Sequence, residues 1–91
     1  MRTVILDARF IATPRAMQRY MQFMLDFPAH YGRNLDALHD MLREMDRPTR
    51  IVLLTGEEPS EEMAAYLPRL AQVFEDSARE NANLIFEMAK G

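Results

Sequence analysis

The sequence is 91 residues long, the size of one small domain, large enough to bury a core but near the length at which stability becomes marginal. Hydrophobic residues at 48% and charged residues at 27% exclude a disordered tract, and no apolar run approaches the roughly 20 residues needed to span a bilayer. Cysteine is absent, which excludes a disulfide framework and thiolate metal sites, and the net charge of −3 divides unevenly: residues 1–33 carry five Arg and two Asp, whereas residues 34–91 carry six basic and twelve acidic groups.

Taken in order, Val4-Ile5-Leu6 is a short β-rich run whose continuous apolarity predicts a strand buried on both faces. Arg2 and Asp7 interrupt the uninterrupted apolar core that a secretion signal needs, so a cytoplasmic location is expected. Thr13-Pro14 is a helix start, with Thr13 as N-cap and Pro14 in the first turn, where its missing N–H costs nothing. Met17, Tyr20, Met21 and Met24 form one apolar stripe, and Arg15, Gln18, Arg19 and Gln22 are expected to face water. Phe27-Pro28 ends that helix. Gly32 permits a sharp turn, and Asn34 is placed to cap a second helix by accepting from the free N–H groups of its first turn. On that helix Leu35, Leu38, Met41, Leu42 and Met45 fall on one side, and Asp36, Asp40 and Glu44 fall on the other.

Pro48 closes the second helix, and Ile51-Val52-Leu53-Leu54-Thr55 is a second apolar run of the kind found inside a parallel sheet. Ser60 is a plausible N-cap for a helix through Met63, Ala64 and Leu67, which Pro68 is expected to kink or restart. Leu70, Val73, Phe74 and Ser77 then keep helical period to about Asn81, and Leu84-Ile85-Phe86 with Met88 makes a third strand, nearer an edge. The order βααβααβ with long connections predicts an α/β fold, a three-stranded parallel sheet flanked by helices in one domain over residues 1–91, with strand order left open. Six of the eight methionines sit at plausible helix-core positions and read as core filler.

The side-chain inventory argues against catalysis. There is no thiol, no glycine-rich phosphate loop and no HExxH-type motif, and neither Ser60 nor Ser77 has a local base. His39 lies about 60° from Asp36 and about 100° from Asp40 around the helix, an awkward arrangement for one ion, so neither a metal nor another cofactor is expected. The acids are the stronger lead. Asp36 and Asp40 are four residues apart, with Glu44 following, and Asp76 and Glu80 repeat the spacing in the later helix. Like charges at that spacing cost a few tenths of a kcal/mol per pair, so the fold gains little from them. An acidic half repels nucleic acid and favours a basic protein surface as partner.

The run Pro28-x-x-Tyr31-Gly32-x-Asn34-Leu35-Asp36-Ala37-Leu38-x-Asp40 resembles the signature of the barstar family, small intracellular inhibitors of secreted ribonucleases. The resemblance implies the same parallel α/β fold, no enzymatic activity, and a second helix that plugs a basic ribonuclease site with carboxylates. Asp36 and Asp40 match interface positions of the family, Asp40 the one that occupies the phosphate pocket, and Glu80 and, with a shorter side chain, Asp76 match acids of the later helix. The expected partner-binding set is therefore His30, Asp36, His39, Asp40, Glu44, Asp76 and Glu80. The expected partner is a basic protein, a ribonuclease or related toxin, with neither nucleic acid nor membrane involved, and the protein is expected to be a monomer when free. His30, His39 and Met45 stand where the family's type member has large aromatic side chains. That departure leaves open an alternative: an adaptor or regulatory module of the same fold with a different partner. Tyr31 reads as structural, bracing the turn into the helix.

Overall fold

The computed structural model describes all of residues 1–91. Its three strands, β1 (Arg2–Asp7), β2 (Thr49–Leu54) and β3 (Leu84–Ala89), form a parallel sheet in the order β1-β2-β3. The register pairs Arg2 with Thr49 and Thr49 with Leu84, so β2 is the central strand. Helices α1 (Pro14–Met24) and α2 (Leu35–Arg43) connect β1 to β2, and α3 (Glu61–Glu80) connects β2 to β3. No helix is long and apolar enough to cross a membrane.

All three helix starts follow from local chemistry. Thr13 Oγ1 accepts from the Ala16 amide at 3.1 Å, Asn34 Oδ1 from Ala37 at 2.7 Å, and Ser60 Oγ from Met63 at 3.2 Å. Each cap satisfies a first-turn donor that the helix itself cannot.

The core lies between the helices and one face of the sheet. Val4, Leu6, Ile51, Leu53 and Leu84 meet Met17, Met21, Leu38, Leu42, Met63, Leu70 and Phe74 in one buried cluster, and Phe86 stacks on Phe74 with ring centroids 4.9 Å apart. The opposite face of the sheet is open. Ile5 is 51% exposed and Ile85 is exposed too, while Val52 and Leu54 are half-buried. The expectation of burial on both faces is thus corrected: with all helices on one side, alternate residues of each strand face water whatever their polarity.

Two further expectations change. Pro68 neither kinks the chain into two helices nor restarts it, and α3 is one helix of 20 residues. Its buried residues Met63, Tyr66, Leu67, Leu70, Ala71, Phe74 and Ser77 keep a three- and four-residue rhythm straight through Pro68. Pro68 itself is exposed, as is Ala64, so the carbonyl deprived of its donor can turn to water. Gln18, expected to face water, is buried at 4% exposure. Its amide donates to Tyr66 Oη at 2.7 Å and accepts from Tyr31 Oη at 2.5 Å, which satisfies it inside the core.

Candidate partner-binding surface

The second helix owes its position to the loop before it. Tyr31 is buried, hydrogen-bonded to Gln18, and packed against Phe27 with centroids 4.8 Å apart. Burial pushes its phenol well above the ordinary tyrosine range, so it is protonated at all ordinary pH and acts as the brace expected of it. The left-handed residue of the turn is Arg33 (φ 55°) rather than Gly32. Gly32 leaves room at the helix entry, since a Cβ there would lie 3.2 Å from Ala37 Cβ, tighter than an ordinary contact. Arg33 is held by Nε donating to Gln22 Oε1 at 2.8 Å, and Gln22 Nε2 in turn donates to the Pro28 carbonyl at 2.9 Å.

The far end of α2 is fixed by a residue from α3. Asn81, the C-cap of α3, is buried, and its Nδ2 donates to the carbonyls of Leu42 and Met45 at 2.9 Å each and to that of Arg43 at 3.4 Å. Its Oδ1 accepts from the Asn83 amide at 2.9 Å. One side chain therefore closes the last turn of α2, whose carbonyls have no partners within the helix, and locks α2 to α3.

That lock brings two of the expected acids to one place. His39 Nε2 lies 3.2 and 3.3 Å from the carboxylate oxygens of Glu80, across the α2–α3 contact. Arg43 joins them, with Nη2 donating to Asp40 Oδ1 at 2.8 Å and Nε 3.8 Å from Glu80 Oε2. His39, Asp40, Arg43 and Glu80 thus form one polar cluster in which Arg43 bridges two carboxylates and His39 meets one of them. All are substantially exposed, Asp40 most of all at 66% of its side chain, so these pairs contribute at most about 1 kcal/mol each and can exchange partners readily.

The remaining expected residues lie around this cluster or away from it. Asp76 faces outward on α3, tied to Gln72 and Arg79 of its own helix, and makes no hydrogen bond or ion pair with α2. Glu44 is the exposed C-cap of α2 and borders a surface hollow with Arg2 and Arg47. Asp36 is exposed in the first turn of α2 and faces a cleft lined by Arg15, Arg33 and Arg69. His30 is exposed in the preceding loop and makes no hydrogen bond or ion pair with the others. Met45 is half-buried and packs against the core. No three His, Asp or Glu side chains converge as a metal ion requires.

Two residues of the surface escape the sequence reading. Arg43 stands among the acids of α2, but its bridging of Asp40 and Glu80 depends on a residue 37 positions further on, at the end of α3. Asn81 carries only the signal of an asparagine after a helix, which does not distinguish a terminator from a tether.

The model of the family described as Barstar (barnase inhibitor) matches residues 1–89. A protein of Bacillus subtilis (strain 168) described as "Putative ribonuclease inhibitor YrdF" is 33% identical over 81 residues, covering 88% of this chain and 89% of its own length.

Proposed function

The chain belongs to the barstar family, and from that premise we propose that it binds a ribonuclease, or a related basic toxin, and blocks its active site with α2 and the loop before it. The observation that carries the proposal is the row Asp36, Asp40 and Glu44 on the exposed side of α2, with Glu80 of α3 brought beside His39. An enzyme that binds polyanionic RNA presents Arg, Lys and His in its cleft. Carboxylates on a rigid helix compete for those groups and are steered to them by long-range attraction.

In this reading Asp40 is the principal plug. Its partner Arg43 is solvent-exposed and releases it at little cost when a better-desolvated cation is offered. His39 and Glu80 extend the contact toward α3, Asp36 and His30 toward the loop, and Glu44 and Asp76 form its rim. The protein acts as a monomer in the cytoplasm, without catalysis or cofactor. Isothermal titration of candidate ribonucleases with wild type and Asp40→Ala tests the mode. Loss of a charge-assisted contact is expected to weaken binding by about ten- to a hundredfold. Tight binding that ignores the substitution would overturn it.

A second reading, an adaptor with a non-ribonuclease partner, draws on one feature of the surface. Its large exposed aromatic side chains, Phe10 at 88% and Phe23 at 80%, lie before and on α1 rather than on α2, and aromatic anchors often dominate interface energy. Partner capture that survives Asp40→Ala but is lost in Phe23→Ala would favour it.

A further inference from the structure

A cleft of about 420 Å³ opens where the first turns of α1 and α2 face the middle of α3. In a protein of net charge −3 its walls are basic: Arg15, Arg33 and Arg69 line it against the single carboxylate of Asp36. Arg15 and Arg69 form no ion pair, since all six pairs of the molecule lie elsewhere. Arg33 spends only Nε on Gln22, leaving its terminal nitrogens free.

The wall of the cleft holds a buried donor without an acceptor. Tyr66 is 8% exposed, and its Oη accepts from Gln18 Nε2 at 2.7 Å. Gln18 meets Tyr66 through Nε2 and turns its oxygen to Tyr31, so the Tyr66 O–H proton has no protein acceptor. Burial, the largest influence, raises the Tyr66 phenol above its ordinary range against smaller opposing effects from Gln18 and Arg69, which keeps the proton in place at neutral pH. The positive ends of the α1 and α2 dipoles point the same way.

We propose that this cleft binds a phosphomonoester of nucleotide size, its phosphate neutralised by Arg15, Arg33 and Arg69 and hydrogen-bonded by Tyr66 Oη. The class follows from the donors. Guanidinium groups and a hydroxyl match the several oxygens and double charge of a phosphate monoester. The volume exceeds what a lone phosphate fills and is that of a small-ligand pocket. Asp36 stands at the rim, where it can accept from hydroxyl or amino groups on the rest of the molecule. The inference is independent of the inhibitor reading, because no ribonuclease is needed for it.

Amide NMR titrations of the free protein at constant ionic strength test it, with AMP and ribose 5-phosphate as probes and adenosine as the phosphate-free control. Saturable shifts in the amides of residues 15–16 and 34–37 at millimolar concentrations or below are expected with both phosphates and none with adenosine. Arg69→Gln, at an exposed position that leaves the fold intact, should weaken AMP by about tenfold or more. Tyr66→Phe should weaken it by a smaller factor, and Arg19→Gln, outside the cleft, should leave it unchanged. Non-saturating shifts, or equal weakening by Arg69→Gln and Arg19→Gln, would overturn the proposal as mere charge screening. Should Tyr66→Phe fold poorly because Gln18 loses its acceptor, the Arg69 and Arg19 pair alone decides.

Discussion

Replacing Asn81 with Ala removes both N–H donors of Nδ2, which reach the carbonyls of Leu42, Arg43 and Met45 at the end of α2 and just past it, and one acceptance from Asn83. At about 1 kcal/mol for each well-formed bond, and more where a buried carbonyl is left without water, the expected loss is about 2–4 kcal/mol. An unfolding entropy of about 2.1 cal/mol/K per residue gives roughly 0.19 kcal/mol/K for 91 residues, so Tm should fall by roughly 10–20 °C in a circular dichroism melt. Asn81→Asp should be at least as harmful at neutral pH, because it sets a carboxylate against three carbonyl oxygens in place of a donor. Partner binding should weaken in both variants although Asn81 is itself buried, since His39 and Glu80 lose their alignment. A shift below about 5 °C for Asn81→Ala would refute the reasoning and show that packing alone aligns the two helices.

Three further substitutions isolate other features. Pro68→Ala supplies the missing donor to the Ala64 carbonyl and should raise stability by about 1–2 kcal/mol, the helix gain of up to about 3 kcal/mol being offset by a freer unfolded chain; a lower melting temperature would contradict it. Ser77 is fully buried with no hydrogen-bond partner for Oγ, so Ser77→Ala should be neutral or stabilising by up to about 1 kcal/mol in urea unfolding, unlike most core changes. Glu87, paired with Arg50 at 2.6 Å on the open sheet face, has its carboxyl held below the ordinary glutamate range chiefly by that hydrogen bond. A depressed folded-state value means stability present above the ordinary value and lost as pH falls through the lower one. The urea midpoints of wild type and Glu87→Gln should therefore differ slightly at neutral pH and converge in acid, and a gap that widens in acid would contradict the assignment.

What the sequence discloses about this fold is what depends on near neighbours. Thr13, Asn34 and Ser60 cap their helices because capping is settled within three residues. The strands announce themselves through short β-branched and aliphatic runs. Ile5 misleads because both faces of its strand are apolar, so no alternation reveals that only one is covered. Pro68 misleads because its local penalty is outweighed by a buried face whose partners, among them Phe86 on β3, lie far along the chain. The candidate surface divides in the same way. Asp36, Asp40 and Glu44 are legible as a row because they share one helix. Their surroundings are not, since Glu80 reaches His39 only through the α2–α3 junction and Asp36 shares a cleft with arginines from three separate segments. Gln18 looked like a surface residue because its partners, Tyr31 and Tyr66, are 13 and 48 positions away.

The central place of β2 also has a kinetic side. Every strand pairing spans a long stretch of chain, Arg2 with Thr49 and Thr49 with Leu84, so the sheet gains nothing from local hairpins. Loop closure must come before the contacts that reward it, which slows folding relative to a helical bundle of equal length. The cluster of His39, Asp40, Arg43 and Glu80 straddles that same central strand in sequence. A chain that has paired β1 with β2 but has not docked α3 shows only half of the surface, so the proposed binding mode requires the complete fold.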